Sequence, residues 1–199
     1  MALPIAATER KLEHRRRIDV QVFSRGDRRW EVDARIDDAR SEAIELVTGP
    51  HAAGKPIHDM LLRLVVDEHL DILEAGAETR AMPYPDHCGA YGDAYSRLVG
   101  LNLLRGFRQA VRERLGGAQA CTHITELTQV LPTAVVQALA GEVLDTRGDS
   151  PTSPKPFQID RCHALLAEGE VVRTFYPRWY RPSAAPITDP EASERARTP

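Results

Sequence analysis

The stretch IDVQVFSRGDRRWEVDARID, residues 18–37, decides the fold of this chain. Apolar residues occupy every second position on both sides of a polar segment at 24–27, and charged or polar residues fill the positions between them. A period of two is typical of a strand with one face on a core and the other in water, and the central Ser-Arg-Gly-Asp favours a turn. We therefore predict an N-terminal β-hairpin.

Two further strands follow the hairpin. Residues 61–66 are mostly apolar, which favours a central strand, and residues 72–77 return after a polar turn at 67–69. Two glycines and two prolines over 47–57 predict a loop before them. Because the connections are too short for crossover helices, the sheet is predicted to be antiparallel.

Beyond residue 86 the apolar period becomes helical. Stripes over 91–99, 107–115 and 124–139 predict three helical segments. Thr122 is a candidate N-cap for the third segment, and Pro132 is expected to kink or split it. One more strand is predicted over 171–176. The expected fold class is α+β, an antiparallel β-sheet with helices packed on one face.

The domain organisation follows from composition. We predict a flexible arm over 1–13, an α+β core over 14–144, a linker and C-terminal appendage packing on the core over 145–180, and a disordered tail over 181–199. The linker is rich in Gly, Ser, Thr and Pro, and the tail is polar and rich in Pro.

Charge and composition exclude several classes of partner. The chain has 199 residues, a net charge of -3 and a pI near 6.2, which gives no general attraction to nucleic acid or acidic membranes. Its longest apolar runs fall short of the ~20 residues that a membrane-spanning helix needs. Three cysteines are an odd count, which favours reduced thiols. We expect a cytoplasmic protein, and a homodimer could form through an exposed hairpin edge.

Imidazole and thiol side chains at three places in the chain predict a metal site. His58 precedes the 61–66 strand, Cys88 precedes the first helical stripe, and Cys121 and His123 stand at the start of the third. These groups bind zinc or iron, and a helix start favours an ionised thiol. The alternatives are a surface histidine at 58 and buried thiols at 88 and 121.

Two carboxylates are candidate proton carriers beside this site. Asp59 adjoins His58, and Glu126 lies one turn beyond His123. A helix-face glutamate is more often simply solvated. A second Cys/His pair, Cys162-His163, either completes the metal site or packs the appendage. The aromatic residues of 175–180 lie among arginines, which suits stacking on an aromatic ligand or docking of the segment on the core.

The segments GKPIHDM at 54–60 and CTHITEL at 121–127 resemble an uncharacterised bacterial family known as a domain of unknown function. The resemblance extends over roughly residues 10 to 180 and includes the Arg-rich hairpin and the Cys162-His163 element. It implies no specific biochemistry.

The order of elements is also similar to the U-type, NifU N-terminal-like, iron–sulfur cluster scaffolds. The likeness rests on Gly54-x-Pro56, Cys88-Gly89, a glycine after a Leu-rich helix, and Cys121 at a helix start. It implies a sheet with helices on one face and ligands gathered at one end. Here, however, His58 stands where the scaffolds have their first cysteine, and Cys-x-His replaces His-Cys at the last site.

These observations favour a metal-binding enzyme that uses one zinc or iron ion to act on a small, aromatic or acyl substrate. Lyase, hydrolase and isomerase reactions all suit such an ion. The alternatives are a carrier of an iron–sulfur cluster or metal, which thiolate ligands would favour, and a module with a purely structural ion.

Overall fold

The predicted hairpin forms half of a four-stranded antiparallel sheet in the computed structural model, which describes residues 3–182. The strands lie side by side in the order β1 (His14–Arg25), β2 (Arg29–Arg40), β5 (Pro56–Val66) and β6 (Ile72–Ala81), so β2 and β5 are the inner strands. The hairpin, the return strand and the central position of the 61–66 segment are confirmed.

A small second hairpin connects β2 to β5. Its strands are β3 (Ile44–Leu46) and β4 (Gly49–His51). The loop predicted over 47–57 is therefore wrong at 49–51, and it ends at Pro56, where β5 begins. Gly49 at the start of β4 and Gly54 in the turn after it adopt positive φ values of 114° and 73°. These backbone conformations, which glycine adopts without strain, allow a short strand to fit inside a glycine-rich segment.

The pleat separates the sheet into an apolar face and a charged face. The apolar face carries alternate residues of β2 and β5 that are almost completely buried: Val32, Ala34, Ile36, Met60, Leu62 and Leu64. The residues between them form ion pairs across the strands, among them Arg17–Asp37 at 2.9 Å, Arg35–Asp59 at 2.8 Å and Arg63–Asp33 at 2.6 Å.

Helices cover the apolar face, so the α+β class is confirmed. The α-helices of this part of the chain are α1 (Pro85–Cys88), α2 (Phe107–Leu115), α3 (Thr122–Leu127) and α4 (Leu131–Leu139). Helix α3 contacts β2 and β5, α4 contacts β1, and a 3-10 helix over Gly89–Leu98 contacts β6.

Proline and helix capping explain how the third helical segment divides. Pro132 is the second residue of α4, where its missing N–H removes no helical hydrogen bond, so the predicted split is confirmed. The predicted cap at Thr122 is wrong, because Thr122 is already helical and Cys121 occupies the N-cap position.

A second compact unit begins at Ala140. Its helix α5 (Glu170–Phe175) lies where a strand was predicted over 171–176, so that prediction is wrong. An ion pair at 2.7 Å between Glu170 and Arg173, three residues apart, stabilises the helical alternative. The unit has its own small core, formed by Ile159, Ala167, Val172, Leu165, Tyr176, Trp179 and Tyr180.

The described residues at the two ends of the chain, 3–13 and 181–182, take no part in these elements. Residues 3–13 form no helix or strand. The tail predicted to be disordered over 181–199 lies outside the described residues, apart from positions 181 and 182. None of the helices within 3–182 has the length and apolar character needed to cross a bilayer.

The buried Tyr95 attaches the start of α3 to the rest of the core. Its hydroxyl donates a hydrogen bond to the carbonyl oxygen of Cys121 at 2.7 Å and lies 3.1 Å from Oγ1 of Thr125. Burial raises the pKa of Tyr95 to about 12. The neutral phenol thus fixes the position at which α3 begins.

Replacing Leu62 with alanine is expected to lower the free energy of unfolding by about 2–5 kcal/mol, because this fully buried side chain leaves a cavity between sheet and helices. Leu61→Ala is the matched control, since Leu61 is only partly buried and lies on the charged face. Urea unfolding of both variants checks the assignment of faces. Equal losses, or a larger loss for Leu61→Ala, would contradict it.

Tyr95→Phe is expected to cost about 1–3 kcal/mol at pH 7, because it removes a buried hydrogen bond. A tyrosine in the unfolded chain has a pKa of about 10, whereas the pKa of Tyr95 in the folded protein is about 12. The stability contributed by the neutral phenol is therefore complete below about pH 10 and is lost as the pH rises toward 12.

Unfolding measured from pH 7 to 11 should therefore show a steeper alkaline loss for the wild type than for Tyr95→Phe. The control is Tyr84→Phe at an exposed tyrosine, which should follow the wild type. Parallel curves for wild type and Tyr95→Phe would show that Tyr95 titrates as if exposed.

Candidate metal centre

A row of polar side chains closes one end of the apolar sheet face. Arg16 of β1, Asp38 of β2 and His58 of β5 are direct cross-strand neighbours. Each lies two residues from the apolar row of Ile18, Ile36 and Met60 and therefore on the same face of its strand. The pleat therefore directs all three side chains toward the helix layer.

Asp38 is the centre of this row. Its side chain is 2% exposed, and both of its oxygens are engaged. Oδ1 accepts hydrogen bonds from the backbone N–H of His58 at 3.1 Å and lies 3.0 Å from its Nδ1. Oδ2 accepts from Nε and Nη2 of Arg16 at 3.2 and 2.9 Å. Burial alone would raise the pKa of Asp38, but the hydrogen bonds from Arg16 and His58 outweigh it and hold the pKa below its ordinary value.

His123, in the first turn of α3, completes the group from the opposite layer. Its ring stacks on that of His58 with centroids 3.8 Å apart and planes inclined by 29°. Burial lowers the pKa of His123, and repulsion from a protonated His58 and from the guanidinium of Arg16 lowers it further. A neutral imidazole is the form that binds a metal ion.

These three residues fit a metal ion by position and by chemistry. One ligand atom each from Asp38, His58 and His123 lies within 4.8 Å of the other two. Zinc holds nitrogen and oxygen ligands at about 2.0–2.2 Å, so the side chains need to close only slightly onto one ion. Two imidazoles and a carboxylate are a ligand set of zinc hydrolases and of non-haem iron enzymes.

Arg16 links the group to a second carboxylate. Its Nη1 donates to Oε2 of Glu126 at 2.9 Å, and both side chains are partly open to solvent. Glu126 follows His123 by one helical turn, so the two project from the same face of α3. His14, also on β1, has its Nε2 3.7 Å from Oδ2 of Asp38.

Two of the four predicted ligands, His58 and His123, are thus brought together. The two cysteines are not members of the three-residue group in the part of the chain that the structure describes. Sγ of Cys121 lies 3.8 Å from Sδ of Met60. Cys88 is half-buried at the end of α1.

The predicted proton carriers lie on different faces of the sheet. Asp59 follows His58 in β5, so the pleat turns it away from the group, and both of its oxygens accept from Arg35 at 2.8 Å. Glu126 reaches the group through Arg16. Cys162 and His163 lie in the second unit, with Sγ 3.9 Å from Nδ1.

Asp38 was not among the ligands predicted from the sequence. A signal was present, because Asp38 falls on the inward parity of β2 after Val32, Ala34 and Ile36. A carboxylate at a position that the alternation assigns to the core must have partners, and buried paired carboxylates are frequent at functional sites.

Comparison with known proteins places this group inside a family region. A family model described as "Protein of unknown function (DUF2889)" matches residues 14–137, which include Asp38, His58 and His123. No curated protein and no solved structure matches the chain, so the likeness to iron–sulfur scaffolds stays a prediction. Since the matched region is more than half of the sequence, the chain belongs to the DUF2889 family of proteins of unknown function.

Proposed function

We propose that the chain is a metal-dependent enzyme that holds one zinc or iron ion on Asp38, His58 and His123 and acts on a small substrate. The observation that carries the proposal is the convergence of these three ligand atoms within 4.8 Å from two strands and a helix. The ligand set differs from the predicted one, because Asp38 takes the place that was assigned to Cys88 and Cys121.

A bound ion would act as a Lewis acid toward a carbonyl group or would make a coordinated water more acidic. Lyase, hydrolase and isomerase reactions on an acyl substrate all suit such an ion. The second predicted carboxylate, Glu126, lies at the solvent-open edge of the group, where it is suited to take up or release a proton. Asp59 faces away and is not part of this proposal.

Three protein ligands leave a coordination position for a substrate, whereas structural zinc sites have four. The set also contains no thiolate, and exchangeable iron–sulfur clusters are generally held by thiolates. Both features support an enzyme over a cluster carrier or a structural module. The odd cysteine count supports our placement of the protein in the cytoplasm.

One contact favours a second candidate function that needs no metal. The 3.0 Å separation between Nδ1 of His58 and Oδ1 of Asp38 is that of an Asp–His pair in which the carboxylate orients the imidazole. Nε2 of His58 would then serve as a general base. The candidate is an acid–base enzyme built on the same side chains, and metal analysis distinguishes it from the first.

We expect the purified protein to bind about one Zn²⁺ or Fe²⁺ per chain. His58→Ala, His123→Ala and Asp38→Asn should each weaken the binding of the ion by ~100-fold or more, because each removes one of three ligands. Isothermal titration and elemental analysis after chelation and reloading measure this. Asp37→Asn is the matched control, since Asp37 precedes Asp38 but pairs with Arg17 on the charged face.

Cys88→Ser and Cys121→Ser test the ligands that were predicted from the sequence. They should retain the wild-type affinity, because neither sulfur belongs to the three-residue group. Loss of the ion in the cysteine variants alone would overturn the assignment. A wild type that binds no ion yet depends on His58 for activity would favour the metal-free alternative.

A further inference from the structure

Arg16 is a cationic side chain that lies directly beside the proposed metal ligands. Its guanidinium uses Nε and Nη2 on Oδ2 of Asp38 and Nη1 on Oε2 of Glu126, at distances from 2.9 to 3.2 Å. It therefore bridges two carboxylates through both edges of its planar donor set. The side chain is 34% exposed, so a ligand from solvent can reach it.

A metal ion and Arg16 compete for the same oxygen. Oδ1 of Asp38 is already used by the backbone N–H and the ring of His58. Oδ2 is the oxygen left to bind an ion, and it carries the two hydrogen bonds from Arg16. Two cations on one carboxylate oxygen repel each other, so the guanidinium must move away when an ion binds. Its bond to Glu126 keeps it nearby.

Ion binding also reverses the charge of the centre. Asp38 and Glu126 are negative, Arg16 is positive, and His58 and His123 are ligands in their neutral form, so the centre without an ion has a net charge of -1. A divalent ion changes this to +1. The loaded centre should therefore attract an anion, and it holds a guanidinium that has just lost a carboxylate partner.

We propose that Arg16 is a displaceable counter-cation that lowers metal affinity and then anchors a carboxylate ligand bound beside the ion. The inference rests on the proposed function and names its substrate class as a small carboxylic acid. A carboxylate is the group that the Arg16 donor set already holds in Asp38 and Glu126, and arginine binds carboxylates with matching planar geometry.

The test uses Co²⁺ as the ion and benzoate as the carboxylate, with both titrations followed in the visible spectrum of the cobalt protein. Arg16→Gln removes the competing charge, so it should bind Co²⁺ ~10-fold more tightly or better, whereas its cobalt form should bind benzoate ~10-fold more weakly. Arg17→Gln is the matched control. Arg17 is the next residue of β1 and pairs with Asp37 on the charged face, so the control should match the wild type in both titrations.

Arg16→Lys provides a second test of the proposal if Arg16→Gln does not fold. Lysine keeps the charge but lacks the planar donor set, so Co²⁺ affinity should stay close to that of the wild type while benzoate binding weakens. Benzoate should not bind any metal-free form. Opposite effects of Arg16→Gln on the two affinities are the expected signature, and a purely structural role would weaken both.

Failure of this inference is distinguishable from failure of the proposed function. If the wild type binds Co²⁺ through His58 and His123 but Arg16→Gln gains no affinity for the ion, the competition is absent and the inference is wrong. It is equally wrong if Arg16→Gln and Arg17→Gln bind benzoate alike. If the wild type binds no ion, the proposed metal centre and the inference fall together.

Discussion

The buried carboxylate of Asp38 is the constraint on which the functional end of the molecule depends. A carboxylate that is 2% exposed loses most of its hydration, and without partners it would strongly destabilise the fold. Arg16 and His58 provide those partners from the strands on either side. The carboxylate therefore requires β1, β2 and β5 to align in one register, and that register also aligns the apolar rows behind it.

Sheet geometry explains how the same end of β1, β2 and β5 carries two separate sets of polar residues. Each of the three strands carries two adjacent polar residues, and the pleat sends one of each pair to either face. Two inward members, Asp38 and His58, join His123 of α3 in the candidate metal centre, and the third, Arg16, lies beside them. The outward members form surface ion pairs. These adjacent pairs are Arg16-Arg17, Asp37-Asp38 and His58-Asp59. Residues next to each other in sequence therefore lie on opposite faces of the sheet and have different partners.

The sequence alone predicted most of the fold because alternation is a local property. The period of two over 18–37 gave the hairpin and its faces, and Pro132 gave the break between α3 and α4. Short segments were less predictable. Residues 49–51 form a strand that begins at a glycine, and residues 171–175, rich in β-branched and aromatic residues, belong to a helix with an internal ion pair.

The candidate centre was only partly predictable, because proximity between distant residues depends on register and helix placement. His58 and His123 were identified by residue type, but nothing local shows that their rings stack. Cys88 and Cys121 were predicted as ligands for the same chemical reason, but they lie outside the three-residue group. Asp38 has no unusual neighbours in the sequence, and only its inward parity, considered together with its cross-strand partner Arg16 on β1, distinguishes it from Asp37. Parity is therefore the property that separates the buried carboxylate of Asp38 from the outward-facing Asp37 in this sheet, and it is a property of the sequence itself.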